Sequence, residues 1–199
     1  MQSLFDFIIT PKNERYDNKK YIDDSELLLN TEISDHRYVS RAGVVVSIPK
    51  SYKGEIKIKD EVILHHNVFR RWYDQYGVEK NSRSYFKENM YLVRPDQIFL
   101  YKRNNKWHAV DGYCFIKPIV SNDMFSNDKE IPFIGVAKYV DKKFNHIEKK
   151  DLIGFTPSSE YEFIIDGERL YRVLNNSICI KYERQGNEKE YNTSWAKSS

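Results

Sequence analysis

With 199 residues, of which 40% are apolar and 15% aromatic, the chain can bury one large core or two cores of about 100 residues each, which excludes global disorder. Its net charge of +3 results from 32 basic and 29 acidic residues mixed along the chain. That balance argues against a dedicated nucleic-acid-binding protein, whose cations usually form a strongly basic patch or stripe. Fifteen tyrosines and eleven phenylalanines, together with many Val and Ile residues, favour β-strands.

The beginning of the chain lacks the features of a targeting sequence. It contains Asp6 and reaches Pro11 after a short apolar run, and no apolar run in the sequence approaches about 18 residues. We therefore expect a cytoplasmic protein with neither a signal peptide nor a membrane span. The two cysteines, Cys114 and Cys179, occupy strand-like stretches without metal-ligand spacing, so we expect both to be buried and reduced.

The first predicted strand, FIITPK at residues 7–12, is followed by a long segment, residues 13–42, that has no secondary-structure periodicity. Connections of this length inside a compact unit are uncommon and more often functional than idle. The middle of the segment, DDSELLLNTEIS at residues 23–34, holds three apolar residues in succession: Leu27, Leu28 and Leu29. Either another part of the chain buries these leucines, or they bind a partner.

Three sequence blocks occur twice in the same order. The first half contains GVVVSIP at residues 43–49, KDEVILHH at 59–66 and YLVRPDQIFLYK at 91–102. The second half contains GVAKYVD at 135–141, KDLIGFT at 150–156 and YRVLNNSICIKYE at 171–183. In the last pair of blocks four residues recur at identical spacing: Tyr91, Val93, Ile98 and Leu100 match Tyr171, Val173, Ile178 and Ile180.

These blocks are short, apolar or alternating, and separated by Asn, Asp, Gly and Pro, which is typical of β-strands and turns. Asp111-Gly112 and Asp166-Gly167 are signals for hairpin turns. Many short strands at this spacing predict two small all-β units, either barrels or sandwiches. We place the first unit at residues 1–111, the second at 112–183, and a disordered tail containing Trp195 at 184–199.

The two halves differ where loops are expected. The segment from Pro11 to Gly43 is matched by a shorter one from Pro118 to Gly135, and the first half also carries an insertion, RRWYDQYGVEKNSRS at residues 70–84. Arginines and aromatic residues interleave in this insertion, a pattern that fits stacking on single-stranded nucleic acid. It fits equally a hairpin whose rings pack on the unit or on a neighbouring subunit. We favour packing or a subunit contact.

Signatures of enzymes and metal sites are missing from the sequence. It has no glycine-rich phosphate loop, nucleophile elbow or HExxH motif. His65 and His66 are adjacent, and adjacent residues on a strand point to opposite faces, so we expect no metal site. We therefore predict a protein that is not an enzyme and holds no cofactor of its own.

The order of the repeated blocks resembles the GroES-type co-chaperonins, in particular the divergent bacteriophage members of that family. A subunit of that family has a first strand, a long mobile loop, a Gly-Glu/Val strand, a Val-Gly-Asp-x-Val step and a Tyr/Val-x-Ile-x-x-x-Asp-Ile-x-Ala run. The matching segments here are FIITPK, residues 13–42, GVVVSIP, IKDEVIL at 58–64 and YLVRPDQIFLYK; the second half matches with IEKKDLIGF at 147–155 and YRVLNNSICIKYE. The chain departs from the family in its tandem arrangement and at Lys59 and Lys150, which stand where the Val-Gly-Asp step has glycine.

The resemblance implies two tandem GroES-like small β-barrels, with a mobile loop at about residues 13–42 of the first barrel. In that family an aliphatic tripeptide of the loop docks in a groove on the apical domain of the chaperonin, and Leu27, Leu28 and Leu29 match this tripeptide by position. The shorter second loop, Val120 to Pro132, offers Met124 and Phe125 as a candidate second contact, although we expect it not to bind. The insertion falls near the roof hairpin of the family.

On this basis we expect a non-enzymatic cytoplasmic co-chaperonin, located in the host cytoplasm if it is phage-encoded. It would form a homo-oligomeric ring and cap a GroEL-type chaperonin, which would bind the ATP. We expect neither a membrane nor a nucleic acid as partner. The alternative is a structural protein of a phage particle or an assembly adaptor, in which the leucine segment makes a permanent contact.

Overall fold

The structure is a computed structural model that describes residues 3–16, 19–22, 25–28, 35, 37–121, 129–183 and 189. It is all-β, as predicted, because these residues form seventeen strands and two short 3₁₀ turns. None of the helical segments among them has the length and apolar character that a membrane span requires. The chain divides into two compact units, Met1–Lys106 and Trp107–Ser199, whereas the sequence places the boundary after Asp111.

The strands of the first unit are β1 (Phe7–Pro11), β2 (Lys19–Ile22), β3 (Ser25–Leu28), β4 (Ala42–Ser47), β5 (Glu61–Leu64), β6 (Arg71–Tyr73), β7 (Glu79–Asn81), β8 (Tyr85–Lys87), β9 (Met90–Val93) and β10 (Ile98–Arg103). Strand β11 (Lys106–Ala109) spans the boundary between the units. The strands of the second unit are β12 (Tyr113–Val120), β13 (Glu130–Tyr139), β14 (Leu152–Phe155), β15 (Tyr161–Ile165), β16 (Glu168–Leu174) and β17 (Ile178–Tyr182). The 3₁₀ turns, Pro95–Gln97 and Asn175–Ser177, precede β10 and β17.

Both units build an antiparallel sheet with the same strand order. The order is β10-β5-β4-β1-β9-β8 within the first unit and β17-β14-β13-β12-β16-β15 in the second. Each of these six strands of the first unit therefore has a counterpart at the same place in the second unit. The first unit also contains two separate hairpins, β2–β3 in the long segment before β4 and β6–β7 in the insertion before β8.

The two sheets also share their registers. Pro11 lies opposite Gly43 in the β1–β4 pair, and Pro118 lies opposite Gly135 in the β12–β13 pair. Both pairs contain an irregularity between the third and the second residue before the proline. The residues with repeated spacing occupy equivalent positions: Ile98 and Leu100 pair with Leu64 and Ile63, whereas Ile178 and Ile180 pair with Phe155 and Gly154. The similarity between the sequence blocks is therefore a similarity of backbone structure.

The glycine that opens each Gly-Val block lies against a buried isoleucine of the neighbouring strand. A Cβ atom at Gly43 would lie 2.6 Å from Cγ2 of Ile9, and one at Gly135 would lie 2.5 Å from Cγ2 of Ile116. A larger residue would displace the isoleucine, because these distances are far below van der Waals contact. The repeated glycine therefore follows from the close approach of two strands.

In each unit a lysine with left-handed backbone conformation stands shortly before strand β5 or its counterpart β14. The φ angle is 71° at Lys59 and 79° at Lys150. The carboxylate of the following residue, Asp60 or Asp151, accepts a hydrogen bond from the backbone N–H three residues earlier, at 2.8 Å and 2.7 Å. Glycine adopts this conformation without steric cost, so both lysines occupy positions that would suit glycine.

The two cores use equivalent positions but different side chains. Six buried residues of the first unit have buried counterparts in the second: Phe7, Ile9, Val62, Leu64, Tyr91 and Val93 correspond to Cys114, Ile116, Ile153, Phe155, Tyr171 and Val173. The small Cys114 replaces Phe7, whereas the large Phe155 replaces Leu64. A loss of volume at one position thus accompanies a gain at another, as a close-packed core requires.

The closed barrels predicted from the sequence are wrong, because both sheets are open. Among the described residues the sheet of the second unit ends at β15 and β17, and no hydrogen-bonded ladder joins these two strands. In the first unit the sheet ends on one side at β8, a strand of three residues. Short edge strands limit the unpaired backbone that closure would otherwise cover. A sheet closes into a barrel only when its two edge strands pair, and these strands are distant in the sequence. Short sequence blocks do not encode such a pairing.

The two cysteines differ in their surroundings. Cys114 is buried, as predicted, and burial raises the pKa of its thiol to about 12. The prediction for Cys179 is wrong, since this residue is exposed on the edge strand β17. The predicted disordered tail, residues 184–199, lies outside the described residues except for Lys189, whose carbonyl oxygen accepts a hydrogen bond of 2.7 Å from the N–H of Val120.

Candidate partner-binding loop

The long segment between β1 and β4 leaves the sheet through a paired stem. At its base the N–H of Lys12 donates to the carbonyl oxygen of Ala42 at 3.0 Å. Further out the N–H of Ser40 donates to the carbonyl oxygen of Arg15 at 2.9 Å, and Tyr16 and Val39 form an antiparallel bridge. These pairs bring the two ends of the segment together and give it a defined base.

The loop stem is fixed to the insertion that follows β5. The Arg15 guanidinium donates to the carbonyl oxygen of Phe69 from Nε at 3.2 Å and from Nη2 at 3.1 Å. The N–H of Arg71 donates to the Tyr16 hydroxyl at 2.7 Å, and the Arg71 guanidinium lies 4.9 Å from the centre of the Tyr16 ring. Two consecutive loop residues thus bind the backbone that leads into the β6–β7 hairpin.

Arg15 also joins the stem to the core of the first unit. Its guanidinium lies 5.3 Å from the ring centre of Tyr91 and 5.7 Å from that of Tyr85, within range of cation–π attraction. Burial lowers the pKa of Arg15 and raises the pKa of Tyr91. We name the contacts of Arg15 and Tyr16 with the residue range 69–71 the stem clamp.

The returning side of the loop is ordered by a local ion pair. The Arg37 guanidinium donates to both carboxylate oxygens of Asp35 at 2.9–3.2 Å, and the N–H of Arg37 donates to the same carboxylate at 3.0 Å. This turn precedes Val39, which is buried in the stem. A local ion pair therefore precedes the stem on the returning side of the segment.

Two of the three predicted site leucines lie in a hairpin carried by this stem. The backbone of Leu27 pairs with Lys20, and that of Leu28 pairs with Lys19, in the antiparallel β2–β3 pair. Leu29 lies outside the described residues. The leucine segment is therefore no part of either large sheet, and the sequence prediction of a segment without regular structure is corrected to a strand over Ser25–Leu28.

The candidate second contact, Met124 and Phe125, lies outside the described residues. The ends of that second loop pair with each other, because the N–H of Ser121 donates to the carbonyl oxygen of Lys129 at 3.1 Å and Val120 lies opposite Glu130. The second unit thus has a shorter loop at the position equivalent to the leucine loop.

The insertion forms a hairpin with exposed aromatic side chains. At its turn the Asp74 carboxylate accepts hydrogen bonds from the N–H groups of Val78 and Tyr76, both at 2.9 Å, and these bonds hold the pKa of Asp74 below its usual value. Tyr73 and Tyr76 are exposed, so the interpretation that these rings pack on their own unit is wrong for both. A contact of the rings with a neighbouring subunit stays a prediction.

No group of three or more His, Cys, Asp or Glu residues within the described part of the chain has an arrangement that could hold a metal ion. His65 and His66 follow β5 instead of lying on it, and their rings stack with centres 4.3 Å apart. The prediction that they point to opposite faces of a strand is therefore wrong.

Sequence reasoning missed the stem clamp. Arg15 and Tyr16 lie in a polar stretch, NERYDN, that has no periodicity and gives no local sign of burial. An arginine next to a tyrosine at the start of a long loop is the available signal, and it is a weak one. No protein-family model and no curated protein sequence matches the chain.

Proposed function

We propose that this protein is a co-chaperonin with two tandem GroES-like units, which caps a GroEL-type chaperonin through Leu27, Leu28 and Leu29. The observation that carries the proposal is the stem clamp, which holds a leucine-bearing hairpin outside both sheets. We expect a partner protein to reach a segment presented in this way. The partner would supply an apolar groove for the leucines and would itself bind ATP.

The repeated fold adds support to the proposal. The GroES-type family has glycine at the step where this chain has Lys59 and Lys150, and both lysines have the left-handed backbone conformation that favours glycine. The long loop also joins the first two strands of the repeated sheet, as the mobile loop does in that family. These features support the family resemblance at two independent points of the chain.

Multiple copies are part of the proposed mechanism. A contact through three leucines is too small to hold a partner tightly, because specific complexes bury far larger surfaces. A homo-oligomeric ring would present several loops to several chaperonin subunits at once, and avidity would convert weak contacts into a stable but reversible complex. The chaperonin would release this protein when it changes conformation after ATP hydrolysis.

The test is size-exclusion chromatography with light scattering on mixtures of this protein and a bacterial GroEL-type chaperonin, with and without ATP. We expect nucleotide-dependent co-elution for the wild type and its loss for the triple variant Leu27→Ser/Leu28→Ser/Leu29→Ser. The control, Met124→Ser/Phe125→Ser, removes the apolar residues of the second loop and is expected to co-elute like the wild type.

Two results would count against the proposal. If the triple variant melts at a clearly lower temperature than the wild type, the leucines are core residues. If the wild type does not co-elute under any nucleotide condition but co-purifies with phage particles, the leucine loop belongs to a permanent structural contact.

A further inference from the structure

The last strand of the second unit is exposed where its counterpart in the first unit is buried. Strands β10 and β17 have the same register with β5 and β14. Leu100 on β10 is 0% exposed, whereas Ile180 at the equivalent place on β17 is 47% exposed and the nearby Tyr182 is 37% exposed. Of these two equivalent apolar strands, β10 is therefore buried within the chain and β17 is exposed.

Strand β17 also has a free backbone edge. Among the described residues it is hydrogen-bonded on one side alone, to β14. Edge strands are usually protected by proline, by short length or by charged side chains. β17 has five residues and no proline, and its lysine, Lys181, forms an ion pair of 2.7 Å with Asp151 of the adjoining turn. The edge therefore lacks two of these three protections, and its lysine is held by an acidic residue of the same unit.

A shallow groove of about 380 Å³ adjoins the exposed strand. Its apolar lining comes from the turn between β13 and β14 and from β17 itself: Phe144, Ile147, Ile178 and Ile180. An added strand could bond to the free edge while its apolar side chains enter this groove, which is the usual mode of strand addition to a sheet.

We propose that β17 pairs antiparallel with β17 of a second copy of this chain across a two-fold axis. With the axis at Ile180, Ile178 lies opposite Tyr182 of the partner subunit, and Cys179 lies opposite Lys181 of the partner subunit. The apolar residues then share one face, and no like charges oppose each other, which is the requirement for stable cross-strand pairs. A self-complementary strand is the kind of surface that a two-fold dimer uses.

The proposal is independent of the proposed function. A ring of subunits needs a heterologous interface, in which two different surfaces of the chain meet. The β17 contact is isologous and would join two chains, or two rings, through their second units. Its failure would leave the leucine loop and the chaperonin untouched, and the failure of chaperonin binding would leave the β17 contact untouched.

The first experiment measures molar mass by light scattering over a range of protein concentrations. At high concentration we expect the wild type to have twice the mass of Ile180→Arg, because a charge on the shared face opposes pairing. The matched control is Ile164→Arg, at a residue that is 38% exposed on β15, the other edge strand of the same sheet. This variant is expected to keep the wild-type mass.

The second experiment needs no variant, because the chain has two cysteines and one is a built-in probe. The thiol of exposed Cys179 should react with a short bismaleimide at any concentration, whereas links between two chains should appear only at concentrations at which β17 pairs. Buried Cys114 is the internal reference. A short bismaleimide should link Cys179 of two chains, which lie diagonally across the paired strands, about 7–8 Å apart.

Three outcomes would overturn the proposal. The first is an equal mass for the wild type, Ile180→Arg and Ile164→Arg, with no Cys179 cross-link at any concentration. The second is a mass difference without any Cys179 cross-link, which would indicate a head-to-tail contact. The third is a loss of chaperonin binding in Ile180→Arg at unchanged mass, which would assign the face to that partner. If Ile180→Arg does not fold, the concentration dependence of the wild-type mass and of the Cys179 cross-link decides.

Discussion

A buried ionic network in the second unit illustrates what single residues contribute. Arg169 is 2% exposed and Glu162 is 5% exposed, and Nε of Arg169 donates to Oε2 of Glu162 at 2.8 Å. Glu130, at the end of the second loop, lies on the other side of the guanidinium. Its Oε2 accepts a hydrogen bond from Nη1 of Arg169 at 2.5 Å, and its Oε1 accepts one from the Tyr171 hydroxyl at 2.6 Å. Burial, reinforced by this bond to Glu130, raises the pKa of the Tyr171 hydroxyl, so it stays protonated as a donor.

Glu162→Gln should lower the free energy of unfolding by about 3 kcal/mol. The substitution keeps the shape of the side chain but removes the charge that compensates a buried guanidinium, and breaking such pairs costs about 3–5 kcal/mol. Glu130 remains in place, so we expect the lower end of that range. Urea-induced unfolding followed by circular dichroism measures the change.

The matched control for this prediction is Asp96→Asn. Asp96 pairs with Arg94 at 2.9 Å on the surface, where ion pairs contribute about 0–1 kcal/mol. We expect no more than about 0.5 kcal/mol from this change. Equal effects of the two substitutions would mean that the buried network does not stabilise the second unit.

At the scale of elements, the stem clamp connects a loop to a hairpin that is distant in the sequence. The Tyr16 hydroxyl accepts a hydrogen bond from the N–H of Arg71, and the Arg15 guanidinium donates a hydrogen bond to the carbonyl oxygen of Phe69. The β2–β3 hairpin and the β6–β7 hairpin therefore share one base. This arrangement limits the freedom of the leucine loop at its ends, which lowers the conformational entropy that binding must remove.

Tyr16→Phe should increase the rate of tryptic cleavage at Lys19 and Lys20 about tenfold. The substitution keeps the buried ring but removes the acceptor for the N–H of Arg71, and a lost hydrogen bond of this kind costs about 1–3 kcal/mol. Loss of this bond lowers the free energy that local opening of the stem requires, so the protease reaches β2 more often. Limited proteolysis followed by mass spectrometry measures the rate.

Tyr76→Phe is the control for this experiment, since Tyr76 is exposed at the turn of the β6–β7 hairpin. It should be cleaved at the wild-type rate. If Tyr16→Phe is also cleaved at the wild-type rate, the clamp does not restrain the loop.

The sequence predicts those elements whose side chains repeat and misses those that depend on contacts between distant segments. The equivalence of β10 and β17 follows from the identical spacing of Ile98, Leu100, Ile178 and Ile180. Strand β3 is missed because three successive leucines lack the alternation of a half-buried strand. The exposure of Cys179 is missed because its neighbours have the same pattern as the buried residues of β10, and burial depends on what covers a strand.

At the scale of the whole molecule, the repeat places a complete set of stabilising interactions in each unit. The second unit has its own six-stranded sheet and a core around Ile116, Ile153, Phe155 and Tyr171. Its first residue, Trp107, donates from Nε1 to Oδ2 of Asp166 in the same unit at 2.8 Å. A unit with its own sheet and core meets the physical definition of a domain.

We therefore expect the fragment 107–199 to fold without the first unit. Its unfolding in urea should be cooperative. With Trp195 replaced by Phe, so that Trp107 is the single tryptophan of the fragment, the fluorescence should follow the same transition as the circular dichroism of the strands, because the indole N–H bond to Asp166 is lost when the sheet unfolds. Glu162→Gln in the fragment should cost about as much free energy as in the full chain. A fragment that is unfolded, or a substitution that has no effect in the fragment alone, would show that the second unit depends on the rest of the chain.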